Sequence, residues 1–159
     1  MRPLADRHYN RQSVGADNFV PPGRCLVLRT TCLRAFWVTS WPFAEYVRHA
    51  WAGAWVCSAF RREGGDAKAS DLIRAAVGHT LWKYGAAPEL GMVTFIDPRH
   101  VRPVKVRGVK TWGRTWELAG FERVGETKGG LMAFQLHPGA MPEASPPLGT
   151  NLDLFGRTE

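Results

Sequence analysis

One apolar stripe constrains this chain more than any other feature. Leu72, Ile73, Ala76, Val77, Leu81 and Tyr84 recur every three or four residues, as one face of an amphipathic helix requires. Ser70 reads as the N-cap, Asp71 falls in the first turn, and Gly85 follows the last apolar residue. On both sides of this helix the pattern is that of strands. Residues 25–29 and 35–39 are β-branched, aromatic and apolar around a short turn, which predicts a hairpin. Residues 54–60 predict a strand before the helix, and the continuous apolar run 90–96 a buried strand after it. Residues 121–127 and 131–136 frame a Lys-Gly-Gly turn and predict a second hairpin. Two short helices complete the expectation, one over 42–50 from Ser40 and Pro42, the other over 113–119. The fold class is therefore α/β, in the mixed α+β sense, with a central sheet flanked by helices.

Composition supports one domain. A chain of 159 residues that is 45% hydrophobic can bury a full core and is not a disordered segment. Residues 1–23 are polar, close on Pro21, Pro22 and Gly23, and read as an irregular arm of a domain spanning 1–137. Residues 138–159 gather Pro138, Gly139, Pro142, Pro146, Pro147 and Gly149, and read as a flexible Pro- and Gly-rich tail. Cys25, Cys32 and Cys57 lack a paired zinc-ligand spacing, and no apolar leader or membrane-length apolar run is present. The expectation is a soluble protein of a reducing cytoplasm, with no membrane partner.

The net charge of +7 is concentrated. Arg99, Arg102, Lys105, Arg107, Lys110 and Arg114 fall in a stretch, 98–114, that contains no acid. Such a stretch can neutralise the phosphates of double-stranded DNA, with the valines at 101, 104, 106 and 109 anchoring a loop, and predicts weak sequence preference. The alternative is a solvated basic loop.

The order strand, basic turn, helix, strand, short helix ending in Ala-Gly-Phe, then hairpin resembles the acyl-CoA N-acyltransferase (GNAT) fold over about residues 24–137. The resemblance implies a mixed sheet and a cofactor pyrophosphate at the turn before the long helix, where free backbone N–H groups and the helix dipole favour anions. Arg61, Arg62, Gly64, Gly65, Lys68 and Ser70 then become candidate ligands for acetyl-CoA or another acyl donor, although the spacing departs from the family pattern and Asp66 opposes an anion. An ordinary glycine-rich turn is the alternative. Trp116, in Trp-Glu-Leu-Ala-Gly-Phe, stands near the place of the tyrosine that protonates a leaving thiolate in that family. Indole is no such acid, so Trp116 is a candidate for stacking on a base or else a core aromatic.

Asp6-Arg7-His8-Tyr9-Asn10-Arg11 and Pro21-Pro22-Gly23, with Phe60-Arg61, Ser70-Asp71-Leu72-Ile73-Arg74, Thr94-Phe95-Ile96-Asp97 and Ala119-Gly120-Phe121, resemble the Mom-like DNA-modification proteins of bacteriophages. That resemblance implies an enzyme that carbamoylmethylates, or otherwise modifies in an acyl-type reaction, the exocyclic amine of adenine, so that host restriction enzymes fail. It makes His8, Tyr9 and Asp97 candidate catalytic residues, beside Trp116 from the GNAT-like segment. It also implies iron, for which His8 and Asp97 are the candidate ligands. Asp97 would orient or deprotonate the poorly nucleophilic N6 amine, and an extruded adenine would stack on an aromatic side chain. His49 ranks below His8 for the cleft, and His79, His100 and His137 carry no partner motif. Leu152, Leu154 and Phe155, in Asn-Leu-Asp-Leu-Phe, resemble the sliding-clamp-binding pentapeptide of bacterial replication proteins. Two rival functions accompany the first: an ordinary acyl-CoA N-acyltransferase acting on a small amine or protein, and a catalytically inactive DNA-binding module.

Overall fold

The computed structural model describes His8 and residues 20–148. Strands β1 (Gly23–Arg29) and β2 (Ala35–Pro42) form the first hairpin, followed by β3 (Trp55–Arg62), helix α1 (Ala69–Tyr84) and β4 (Met92–Ile96). A small ribbon, β5 (Val104–Val106) and β6 (Val109–Thr111), precedes helix α2 (Arg114–Leu118) and the final hairpin, β7 (Glu122–Glu126) with β8 (Met132–Leu136). The architecture is mixed α+β. One sheet of six strands runs β1-β2-β3-β4-β8-β7, and β5 and β6 form a separate sheet of two. Among the described strands β3 and β4 are the one parallel pair, joined through α1 as a parallel connection demands.

The expected stripe does cover the sheet. Ile73, Ala76 and Val77 of α1 pack on Trp37, Trp55, Met92, Phe134 and Leu136, all buried. A polar relay pins the helix to β2 inside this core: the Trp37 indole N–H donates to Thr39 Oγ1 (2.5 Å), Thr39 bonds Thr80 Oγ1 (3.1 Å), and Thr80 donates to the Ala76 carbonyl (2.7 Å). Both hydroxyls of the relay have partners, so the desolvation cost of burying them is offset. The other sheet face carries a smaller cluster of Phe36, Val38 and Ala59, packed by Val20.

Four expectations need correction. No helix spans 42–50. Ser40 and Trp41 extend β2 as far as Pro42, because Gly23, Arg24 and Cys25 of β1 supply backbone partners, and only a 3-10 turn, Ala44–Tyr46, follows. Ser70 is not the N-cap of α1: the helix starts at Ala69 with Lys68 in the extended cap position and no side-chain cap. The stretch 98–114 is not a loop but carries a β-ribbon. Finally, residues 141–148 do not leave the domain at once. Met141 packs on the core, the Ser145 N–H donates to the Gly78 carbonyl (3.2 Å), and His79 Nδ1 lies 2.8 Å from the Ser145 carbonyl. Gly78 permits that close pass, since a Cβ there would lie 2.8 Å from the Glu143 carbonyl.

Candidate active cleft and nucleic-acid interface

The cleft begins where the parallel pair stops pairing. Strands β3 and β4 are in register only for Trp55, Val56 and Cys57 against Met92, Val93 and Thr94, and the Thr94 hydroxyl donates to the Cys57 carbonyl (3.2 Å) at the last rung. Beyond that rung β3 remains paired to β2 and β4 to β8, so the right-handed twist pulls the two apart. The gap is a cavity of about 300 Å³, walled by Ser58, Phe60 and Arg62 of β3 and by Thr94, Phe95 and Ile96 of β4. A concave gap of this kind, opened at the carboxyl ends of two parallel strands, is a usual place for a small-molecule site.

His8 joins the β3 wall. It is 8% exposed, its ring stands edge-on to Phe36 at 6.2 Å, and its pKa is pushed down to about 4. Burial is the main cause and the Arg61 charge adds to it, while a hydrogen bond with the Phe60 backbone acts in the opposite sense, as an N–H donated to a carbonyl does. The imidazole is neutral at pH 7. A histidine that folds with a pKa below its ordinary 6.5 favours the folded state above that value and loses the contribution as pH falls toward about 4. Titration of stability from pH 7 to pH 4 should therefore show a loss of about 3 kcal/mol that His8→Gln flattens, read by denaturant melts at each pH. An unchanged profile in the variant would show that another group carries the loss.

Asp97 ends β4 beside this cleft, but its carboxylate is fully engaged. Oδ1 accepts the Arg99 backbone N–H (2.9 Å) and the Arg99 Nε–H (2.9 Å). Oδ2 accepts from the other arm of the Arg99 guanidinium (2.8 Å) and sits 3.0 Å from His100 Nδ1. The Arg99 bonds, chiefly, hold the carboxyl well below the usual range, as a bidentate guanidinium should. Such an oxygen pair is a poor proton acceptor and fixes the turn that leads into the ribbon. Asp97→Asn should lower the melting temperature and loosen the 97–101 turn, whereas loss of a base would abolish activity with the melting temperature unchanged.

Arg62, Gly64, Gly65 and Lys68 do lie on one turn between β3 and α1, and Arg62 also lines the cleft. Arg61, however, pairs with Glu63 (2.8 Å), and Arg62 donates to the Gly65 carbonyl (2.6 Å). Ser70 sits inside the first turn of the helix. Trp116 lines the cleft with its ring packed against Trp37, Phe60 and Phe121 at centroid distances of 5.9, 6.0 and 5.1 Å, and so serves as a wall. Arg99 belongs to Asp97, and Arg114 pairs with Glu117 (3.3 Å). Arg102, Lys105, Arg107 and Lys110 make no ion pair among the described residues. Tyr9 and the motif Leu152, Leu154 and Phe155 lie outside the described residues.

Iron does not fit the pair expected to hold it. Both Asp97 oxygens face a guanidinium, which no cation would share, and among the described residues no group of three or more His, Cys, Asp or Glu comes together. Two of the histidines without a partner motif in the sequence find partners in the fold, His79 at Ser145 and His100 at Asp97. Sequence reading also missed a cluster beside the cleft: His49 accepts the Trp51 backbone N–H at Nδ1 (3.2 Å) and lies 4.8 Å from the Phe95 ring, and the Trp51 indole donates to Gln135 (3.2 Å). Burial pushes the His49 pKa down. No described helix is long and apolar enough to cross a membrane.

Comparison with family models, with curated proteins and with solved structures finds no match.

Proposed function

We propose that the chain is a DNA-modifying transferase of the Mom-like kind, built on a GNAT-like fold and acting on adenine in duplex DNA. One observation carries the reading: the cationic ribbon springs from the rim of the cleft. Val101, just before β5, and Thr115 with Trp116, just after β6, all line the cavity. A polyanion held on Lys105, Arg107 and Lys110 is thereby held beside a space sized for a small planar group. Further support comes from the strand order, in which the sheet's parallel pair is bridged by α1 and followed by a short helix and a hairpin.

The chemistry rests on positioning. Adenine N6 is conjugated with its ring, so it reacts only when held against an activated carbon. The turn from Arg62 to Lys68, with Gly64 and Gly65, would hold the phosphates of a CoA-type thioester, which would supply such a carbon when bound. Attack on it would form the N6–C bond, break the bond from that carbon to the thiolate, and release one N6 proton. The neutral His8 imidazole, oriented by its hydrogen bond at the Phe60 backbone, is a weak base placed to receive that proton once the N6–C bond has made the nitrogen strongly acidic. Trp116 and Phe60 exclude water from the wall.

The engaged Asp97 and the walled-in Trp116 favour one alternative, a DNA-binding module without transfer chemistry. Plasmid DNA from cells expressing the chain separates the two. Under our reading it resists restriction enzymes with adenine in their sites and remains sensitive to enzymes with G·C-only sites. Full sensitivity to both would favour the module.

A further inference from the structure

We propose that the β5–β6 ribbon is a major-groove element, which seats its valine face on the base edges of duplex DNA while its lysines reach the flanking phosphates. This rests on the DNA-binding reading above and specifies its form. The register pairs Val104 with Thr111, Lys105 with Lys110, and Val106 with Val109. Side chains alternate faces, so one face carries the valines and the other the two lysines. Lysines directly opposite each other repel, and a ribbon of two three-residue strands has little stability to spare. No carboxylate pairs with either among the described residues, so the free protein bears a cost that a polyanion removes.

The other face is equally unusual. Val104 is 47% and Val109 64% exposed, an apolar surface with nothing described upon it. Thymine methyl groups are the apolar feature of the major-groove floor, and they lie between phosphate walls that the lysine stems can span. Width decides between grooves: the major groove, about 12 Å wide, admits a two-stranded ribbon, and the minor groove, about 6 Å wide, does not.

The tip and the base fit the same use. Arg107 (φ 49°) and Gly108 (φ 82°) are both left-handed, the two-residue turn that favours Asn-Gly. Arginine there is strained, and it places a guanidinium at the outermost point of the ribbon. At the base the Trp112 indole donates to the Val101 carbonyl (3.0 Å), and Gly113 lies against the Phe134 ring, where a Cβ would come within 2.2 Å. The ribbon therefore projects from a fixed root.

The test uses the full chain and one fluorescent duplex in four states: unmodified, with glucosylated hydroxymethylcytosine filling the major groove, with a netropsin-type drug filling the minor groove, and as a single strand. We expect the filled major groove and the single strand each to weaken binding about tenfold or more, and the minor-groove drug to change it less than about twofold. Arg107→Asn should melt no lower than the parent while binding at least about fivefold more weakly. Binding that tolerates a filled major groove, a single strand bound as tightly as the duplex, or Arg107→Asn at full affinity would each overturn the ribbon proposal and leave DNA binding standing. Absence of binding to every form, or equal capture by polyglutamate, would overturn the DNA reading itself.

Discussion

Reversing Arg102, Lys105 and Arg107 to Glu together should weaken binding to a short duplex at least about a hundredfold near 0.15 M salt. These cations pair with no acid among the described residues, so reversal breaks no salt bridge of the fold and should leave the melting temperature within about two degrees. The slope of log affinity against log salt should flatten by about one for each phosphate that is no longer neutralised. Reversal of Arg114, tied to Glu117, should do much less. Fluorescence anisotropy across a salt series reads both quantities, and an unchanged slope would mean that the DNA lies elsewhere.

The largest effect on stability is expected at Gly91. It precedes β4 with φ 64°, and a Cβ there would lie 2.1 Å from the Leu136 carbonyl of the neighbouring β8. That oxygen is backbone at the end of β8, where Leu136 pairs with Met92, and cannot rotate away. The Gly91 carbonyl also accepts the Trp55 N–H (2.9 Å) at the start of β3, so any shift there disturbs the strand pair that forms the cleft. Gly91→Ala should cost about 3 kcal/mol and about 10 °C in melting temperature. Gly53→Ala is a useful contrast, since its positive φ of 95° is strained for alanine but no atom lies within 4 Å of the added Cβ. Equal losses at both positions would mean that backbone strain, not the clash with Leu136, governs Gly91.

Much of this architecture was legible because periodicity reports burial. Ile73, Ala76 and Val77 announced α1, and the residues of β4, apolar except for Thr94, announced a strand buried along nearly its whole length. The misread helix over 42–50 shows where local signals give way. Ser40 and Pro42 have helix-start chemistry, yet Gly23 to Cys25, about fifteen residues or more away, offer strand partners that a local window does not contain. The ribbon was missed for a related reason. Arg107-Gly108 is an unusual turn pair, and strands of three residues carry too short an alternation to stand out against their charges.

The site was less legible than the fold. Charge identified the 98–114 stretch but counted six cations where two are occupied, Arg99 by Asp97 and Arg114 by Glu117. No spacing rule reveals that Asp97 closes a turn with Arg99, because a strand-ending carboxylate looks the same whether it caps or catalyses. His8 illustrates the opposite case. Its neutral, buried state depends on Phe36, Phe60 and Arg61, which approach it only in the folded chain.

The central claim is that the cleft beside the ribbon modifies adenine in DNA. Its most direct test is mass spectrometry of the nucleosides from DNA of cells that express the chain, compared with cells that express His8→Gln. Our account predicts a deoxyadenosine of increased mass, with the added group on N6, in the first sample and its loss or strong reduction in the second. Deoxyadenosine of unaltered mass in both, from a chain shown to bind that DNA, would contradict it.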